Sequence, residues 1–283
     1  MGRSGDPRPS WQPPSPSLLA AARRLVAPWR FVTAPRFIGA ARVPRQRPVM
    51  FVANHTLLGM IDTPLLFLGI HEHTGHFPRS MGDHIHFRIP GWRDLLTRFG
   101  AVRGTREHCR TVMRQGYSLV VYPGGGREVF KRRGEAYQLL WGQRAGFARL
   151  AVEHRYPIVP VAAVGAEECY RIRYDQNDLM RTPFGPEFVK RAPRNDVAFP
   201  TIATGLAGTL LPIPQRFYFA FGDPIESAPY GDQEDVGAAS FALREEVRVA
   251  LERLIAELLA VRENDPRRAF WPRVLRRSDE PRR

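Results

Sequence analysis

Four short apolar runs bounded by turn-forming residues punctuate the chain: Val49 to Ala53, Tyr117 to Tyr122, Ile158 to Val164 and Arg216 to Phe221. Runs of this length read as buried strands, because a sheet covered on both faces needs apolar side chains on both. Between them the period becomes helical. Trp92, Leu95, Leu96 and Phe99 fall at i, i+3, i+4 and i+7. Leu139, Leu140, Phe147, Leu150 and Ala151 are assigned to a second helix ahead of Pro157. Leu243, Val247, Leu251, Leu254, Leu258 and Val261 form the clearest stripe, on a last long helix. Strands alternating with helices predict an α/β fold with a mostly parallel central sheet flanked by helices. Chemistry is then expected in the loops that leave the carboxyl ends of the strands.

The pattern divides the 283 residues into one ordered block and two flanks. Residues 1–16 are rich in Pro, Ser, Gly and Arg without an apolar period and are expected to be disordered. Residues 17–264 are expected to form a single domain, and 265–283 a basic tail carrying Arg267, Arg268, Arg273, Arg276, Arg277, Arg282 and Arg283. Within the domain, residues 17–43 mix Leu18, Leu19, Leu25, Trp29, Phe31 and Phe37 with Arg23, Arg24, Arg30, Arg36 and Arg42. That mixture suits a helical segment lying in an anionic interface, or a solvated helix packed on the domain. No uncharged apolar run approaches the ~20 residues of a membrane-spanning helix, which excludes a multi-span protein. Residues 197–215 carry no charge but are broken by Pro200, Gly205, Gly208, Pro212 and Pro214. They read as a lipid-facing lip, against the alternative of a buried loop.

Charge changes the picture further. Lys+Arg is 42 against Asp+Glu 28, a net +14, with Lys131 and Lys190 the only lysines. Such a chain is drawn to an anionic surface: nucleic acid, acidic lipid or a phosphorylated substrate. Cys109 and Cys169 form no CxxC, which argues against a disulfide scaffold or a cysteine zinc site and fits a reducing, intracellular compartment.

Four segments at strand ends carry candidate chemistry. In Val52-Ala53-Asn54-His55-Thr56-Leu57-Leu58-Gly59-Met60-Ile61-Asp62, a histidine leaves a buried strand. A neutral imidazole can take a proton near neutral pH, and a carboxylate on its other nitrogen can orient it. Phe99-Gly100 to Arg106 is the second segment. In the third, Tyr122-Pro123-Gly124-Gly125-Gly126-Arg127-Glu128, three glycines let backbone N–H groups close on an anion or a carbonyl, or form a tight strand-to-helix turn. No Gly-Lys-Ser/Thr follows, so it is not a nucleotide P-loop. The fourth is Tyr156-Pro157-Ile158-Val159-Pro160-Val161.

In this order and spacing the four segments resemble the glycerolipid acyltransferase superfamily, over about residues 48–225. Asn54 and His55 match its first block, and Gly100 and Arg106 its second. The third block is ordinarily Phe-Pro-Glu-Gly-Thr-Arg; Pro123, Gly125 and Arg127 match it, while Gly124 replaces the Glu and Gly126 the Thr. The Pro-Gly-Gly form followed by Arg-Glu is similar to the diacylglycerol acyltransferase-like branch, which includes plastid phytyl ester synthases. One departure stands out: the family's Asp lies five residues after the His, where this chain has Met60, and the nearest carboxylate is Asp62. Seven residues are close to two helical turns, so Asp62 is expected within ~3 Å of His55 Nδ1. The alternative has His55 held by a backbone carbonyl.

The resemblance implies transfer of a fatty acyl group from a thioester, acyl-CoA, to a hydroxyl of a glycerolipid (lysophospholipid, mono- or diacylglycerol). His55 would be the base and Asp62 its partner. Asn54, Arg106, Gly124, Gly125, Gly126, Arg127 and Glu128 would contact substrate. The absence of Gly-x-Ser-x-Gly argues against an acyl-enzyme. The family chemistry needs no metal and no cofactor beyond the acyl-CoA co-substrate. The stretch holding His71, His73, His76, His84 and His86 therefore reads as a loop, marked by Gly75, Pro78 and Gly82, rather than a metal site. The expected setting is the cytoplasmic side of an anionic membrane, peripherally bound, with no nucleic acid. A non-catalytic basic binding protein on the same scaffold and a thioesterase remain alternatives.

Overall fold

A computed structural model of the chain describes residues 13–275. The chain runs through α1 (Pro16–Thr33), β1 (Arg36–Ile38), β2 (Met50–Ala53), α2 (Thr63–Thr74), β3 (Arg79–Gly82), α3 (Trp92–Arg98), β4 (Val102–Arg103) and α4 (Arg106–Arg114). It continues through β5 (Leu119–Val121), α5 (Gly126–Val129), α6 (Gly146–His154), β6 (Ile158–Val164), β7 (Arg171–Tyr174), α7 (Gln176–Met180) and α8 (Gly185–Arg191). It ends with β8 (Ile202–Thr204), β9 (Tyr218–Phe221), α9 (Ala228–Gly231), α10 (Val236–Glu263) and α11 (Phe270–Leu275).

Seven strands form one sheet in the order β1-β9-β6-β2-β5-β3-β4. Every neighbouring pair is parallel except β6 with β9. This is the mostly parallel, helix-flanked sheet that the apolar runs imply. Alternate residues face opposite layers. Met50, Val52, Ile158 and Tyr218 join α6 and α10 in one core; Phe51, Ala53, Val159 and Phe219 join α2 in the other. The α10 stripe of Leu243, Val247, Leu251, Leu254 and Leu258 is buried, each side chain contributing roughly 1.5–3 kcal/mol. Asp235 starts that helix by accepting from the backbone N–H groups of Gly237 and Ala238. Pro160 sits inside a central strand, where a missing N–H is normally excluded. It is accommodated because the β6–β9 pairing shifts by one residue between Ile158↔Ile225 and Val161↔Phe221.

Several expectations are corrected. The helix expected to include Leu139 and Leu140 begins only at Gly146; those leucines lie in the turn that leads to buried Trp141. The 17–43 segment is not one helix. It ends at Thr33, where Ala34 turns left-handed (φ 38°), and β1 then adds to the sheet beside β9. The helix is tied down by Arg23 and Arg30 to Glu72 and by Trp29 Nε1 donating to Ile61 O (2.7 Å), while Leu25 stays 82% exposed. The basic tail is not free over 265–275. Buried Asp265 accepts from Tyr218 and Arg216, and the Arg273 guanidinium donates to Val32 O. Residues 1–12 and 276–283, which hold most of the expected disordered segment and the end of the tail, lie outside the described residues. His71 and His73 sit on α2 rather than in a loop, with Gly75 as its C-cap.

Between β6 and β9 the chain makes an excursion in which β7 and β8 pair as a separate antiparallel ribbon. The uncharged stretch lies here. It is not a buried loop: Leu206 and Leu211 are exposed, and Leu210 is 81% exposed.

Candidate active site

The site is built on the carboxyl end of β2. Asn54 directly follows the strand and is buried. Its side-chain amide donates to Ala163 O (3.0 Å) and its Oδ1 accepts from Ala163 N (2.8 Å). A side chain thus continues the β2–β6 ladder by one rung. Expected to contact substrate, Asn54 instead anchors the strand end from which His55 departs.

The His55 peptide is held on both sides by buried charges. Its N–H donates to Glu128 Oε2 (2.8 Å), and its carbonyl accepts from Lys131 Nζ (2.7 Å). Lys131 also pairs with Glu167 inside the protein. The imidazole stacks on Tyr122, with ring centroids 4.1 Å apart and planes inclined by 22°. The Gly59 backbone, with φ +58°, closes on the ring near Cε1 and Nδ1. A Cβ there would fall 2.3 Å from Cε1 and 2.6 Å from Nδ1, so the turn Leu57 to Gly59 can approach the ring only as glycine. Burial, with Lys131 and His86 nearby, pushes the imidazole down to about 3. It is therefore a neutral free base across the physiological range.

Asp62 is brought into the same pocket but not onto the ring. Among the described residues His55 Nδ1 has no hydrogen-bond partner, and neither has Asp62 Oδ1. The expected His55–Asp62 hydrogen bond is absent because residues 55–62 form turns and bends; α2 starts only at Thr63, with Asp62 as its N-cap. The two-turn spacing argument therefore has no helix to act on. Asp62 is 4% exposed, and burial pushes its carboxyl up to about 6. The Thr56 hydroxyl lies close enough to moderate that rise without hydrogen-bond geometry, and the Asp62 charge is felt by Tyr122.

The third segment turns directly after β5. Gly124 O accepts from Arg144 (2.5 Å), and Gly126 lies against the Arg194 guanidinium. Glu128 is fully buried. One oxygen accepts from His55 N and the other from Leu140 N (2.9 Å), so both face the protein interior. Arg127 is half-buried and engaged by Glu135 and by Phe130 O. Arg106, the first residue of α4, is exposed and makes no ion pair or hydrogen bond among the described residues. Two surface concavities, of about 200 Å³ beside Leu57 and Lys131 and about 530 Å³ against α8, do not include His55. Lys131, Glu167 and Tyr122 are the functional residues that sequence reasoning passed over. The one available signal is Lys131 itself, close to the third segment and one of only two lysines in a chain rich in arginine.

A neutral histidine thus stands at the end of a parallel strand, against the Gly59 turn and stacked on Tyr122. An acyltransferase family model matches residues 34–164. Phytyl ester synthase 1, chloroplastic, of Arabidopsis thaliana is 29% identical over 255 residues, 83% of this chain and 36% of that protein. The human DGAT1/2-independent enzyme synthesizing storage lipids is 32% identical over 159 residues, 53% of this chain and 48% of that one. The crystal structure of the 1-acyl-sn-glycerophosphate (LPA) acyltransferase PlsC from Thermotoga maritima aligns with TM-score 0.47 at 14% identity, over 84% of this chain and 79% of that one. The chain spans about a third of the length of the two Arabidopsis phytyl ester synthases it matches.

Proposed function

We propose that the protein transfers a fatty acyl group from acyl-CoA to the hydroxyl of a glycerolipid, with His55 as general base. The observation that carries this reading is the neutral imidazole fixed at the end of β2 against Tyr122 and Gly59. The acceptor oxygen attacks the thioester carbonyl carbon as its proton passes to the imidazole. The C–S bond then breaks, and the thiolate of CoA recovers that proton from the imidazolium. Burial and Lys131 both disfavour the imidazolium, so the proton stays on the ring only briefly.

Among glycerolipid acceptors the site favours an uncharged one. Of the two arginines expected to contact substrate, Arg127 is already neutralised by Glu135, while Arg106 lies exposed at the start of α4. A mono- or diacylglycerol needs no such cation, and the relatives named for phytyl esters and storage lipids fit a neutral product. The lipid would be met at an anionic membrane surface on the cytoplasmic side, held by the net +14 charge and by exposed Leu25, Phe31, Leu210 and Leu211. No described helix is long and apolar enough to cross a membrane.

Incubation with labelled acyl-CoA and a panel of diacylglycerol, monoacylglycerol, a long-chain alcohol and a lysophospholipid, followed by thin-layer separation, tests the reading. Acylated neutral lipid is expected. Exclusive acylation of the lysophospholipid would overturn the acceptor assignment. Free fatty acid alone would make the protein a thioesterase, and no turnover with any acceptor would leave the non-catalytic alternative.

A further inference from the structure

We propose that Glu128 and Lys131 are positioning residues that clamp the His55 peptide, and that Gly124 is glycine because Glu128 delivers a carboxylate into the space its side chain would need. This rests on the reading of His55 as the base. The two groups that flank the His55 Cα are captured by opposite charges. The N–H meets a Glu128 oxygen at 2.8 Å and the C=O meets the Lys131 ammonium at 2.7 Å. Both side chains are 1% exposed or less. Charge-assisted bonds at such sites fix geometry more firmly than neutral ones. They also balance each other. Burial raises the Glu128 carboxyl, and the Lys131 ammonium counters that rise first, ahead of the two N–H donors. Neither charge is buried alone, a state that would be strongly unfavourable.

The coupling to position 124 is geometric. A Cβ built on Gly124 lies 2.2 Å from Glu128 Cδ, 2.3 Å from Cγ and 2.4 Å from Oε1. These separations are far inside contact, so a side chain at 124 and the Glu128 carboxylate exclude each other. The third block ordinarily carries glutamate where this chain has Gly124. The structure places a carboxylate in that same space from four residues downstream. The exchange is reciprocal: a carboxylate from 124 requires a small residue at 128, and a carboxylate from 128 requires glycine at 124.

The test uses Glu128→Ala, Gly124→Glu, the double variant Gly124→Glu/Glu128→Ala, and Lys131→Met/Glu167→Gln, which removes a buried ion pair whole. Two readouts are needed: steady-state kinetics, and hydrogen exchange of the His55 amide, which does not depend on turnover. Glu128→Ala is expected to lower kcat by about 10²-fold with KM within a few-fold, the signature of a misplaced base, and to deprotect the His55 amide. Gly124→Glu alone is expected to be crowded and less stable. The double variant is expected to regain at least about 10-fold of kcat over Glu128→Ala, and to restore amide protection. Lys131→Met/Glu167→Gln is expected to raise the pH of the His55 ring titration, followed by NMR, since it removes a nearby cation. A folded double variant no better than Glu128→Ala in either readout would overturn the exchange. A protected His55 amide in Glu128→Ala, or an unmoved ring titration in Lys131→Met/Glu167→Gln, would overturn the clamp. Failure of the acyltransferase reading would appear separately, as wild-type protein with no ester product but with amide and ring responses intact.

Discussion

Gly59→Ala perturbs the imidazole without touching it chemically. The added Cβ would lie 2.3 Å from Cε1 and 2.6 Å from Nδ1, where ordinary contact begins at 3.4 Å. The ring must therefore retreat by about 1 Å, or the turn must open by as much. The stack on Tyr122, with centroids 4.1 Å apart, limits the room into which the ring can move. Two costs follow, of different kinds. Placing alanine at φ +58° costs about 1–2 kcal/mol of stability, since an L side chain resists the left-handed region. Displacing a reacting group by ~1 Å costs about 10²-fold in rate. The variant should melt a few degrees lower, bind acyl-CoA with KM within a few-fold of wild type, and turn over about 10²-fold more slowly. Steady-state kinetics beside a thermal melt separates the costs. A folded variant within about threefold of wild-type kcat would refute the idea that ring placement against this turn matters.

Four further predictions concern Asp62, His55, Asn54 and the exposed edge at Leu210 and Leu211. Asp62 is buried and raised to about 6, so the folded state holds a proton that the unfolded state has released between pH 4 and 6; stability from this group falls as pH rises through that range. Asp62→Asn should then stabilise the protein by roughly 2–3 kcal/mol at pH 7.5 and by little at pH 4; equal melting shifts at both would contradict it. His55 is lowered to about 3, so its contribution is complete above about pH 6.5 and is lost as pH falls towards 3; His55→Gln should flatten the acid limb of the stability profile, and an unchanged limb would count against the burial account. Asn54→Ala leaves the N–H and C=O of Ala163 without their rung and should cost about 2–4 kcal/mol by denaturant titration, with a loss below 1 kcal/mol arguing that the amide pair is not what holds the strand end. Leu210→Glu with Leu211→Glu should weaken sedimentation with anionic vesicles without altering the melt, and unaltered binding would remove that edge from the membrane account.

What could be read from the sequence tracks burial. β2, β5, β6 and β9 show as apolar runs because helices cover both sides of the sheet there. β1, β3 and β4 do not, being two to four residues long and carrying Arg36, Arg79, Ser80 and Arg103. The α10 stripe is legible because its side chains are buried; α3 shows the same spacing although its apolar side is uncovered, with Leu95 exposed. The His55 position follows from the strand it ends. The geometry around it does not, because residues 57–62 form turns and bends rather than the helix that would bring Asp62 to the ring, and Lys131, which pairs with Glu167, reaches His55 from 76 positions away. Glu128 was read as a substrate contact because its neighbours line the glycine loop; its side chain turns inward to a backbone N–H that no spacing rule marks.

The central claim is transfer of an acyl group to a hydroxyl by a His55 base. The measurement that tests it most directly is the ratio of ester formed to CoA thiol released, from labelled acyl-CoA and diacylglycerol on mixed anionic vesicles, for wild type and His55→Ala side by side. The account predicts a ratio near one for wild type, and a fall in ester formation of at least about 10²-fold in a His55→Ala variant that melts normally. Thiol release without ester in the wild type, or ester formation surviving in folded His55→Ala, would contradict it.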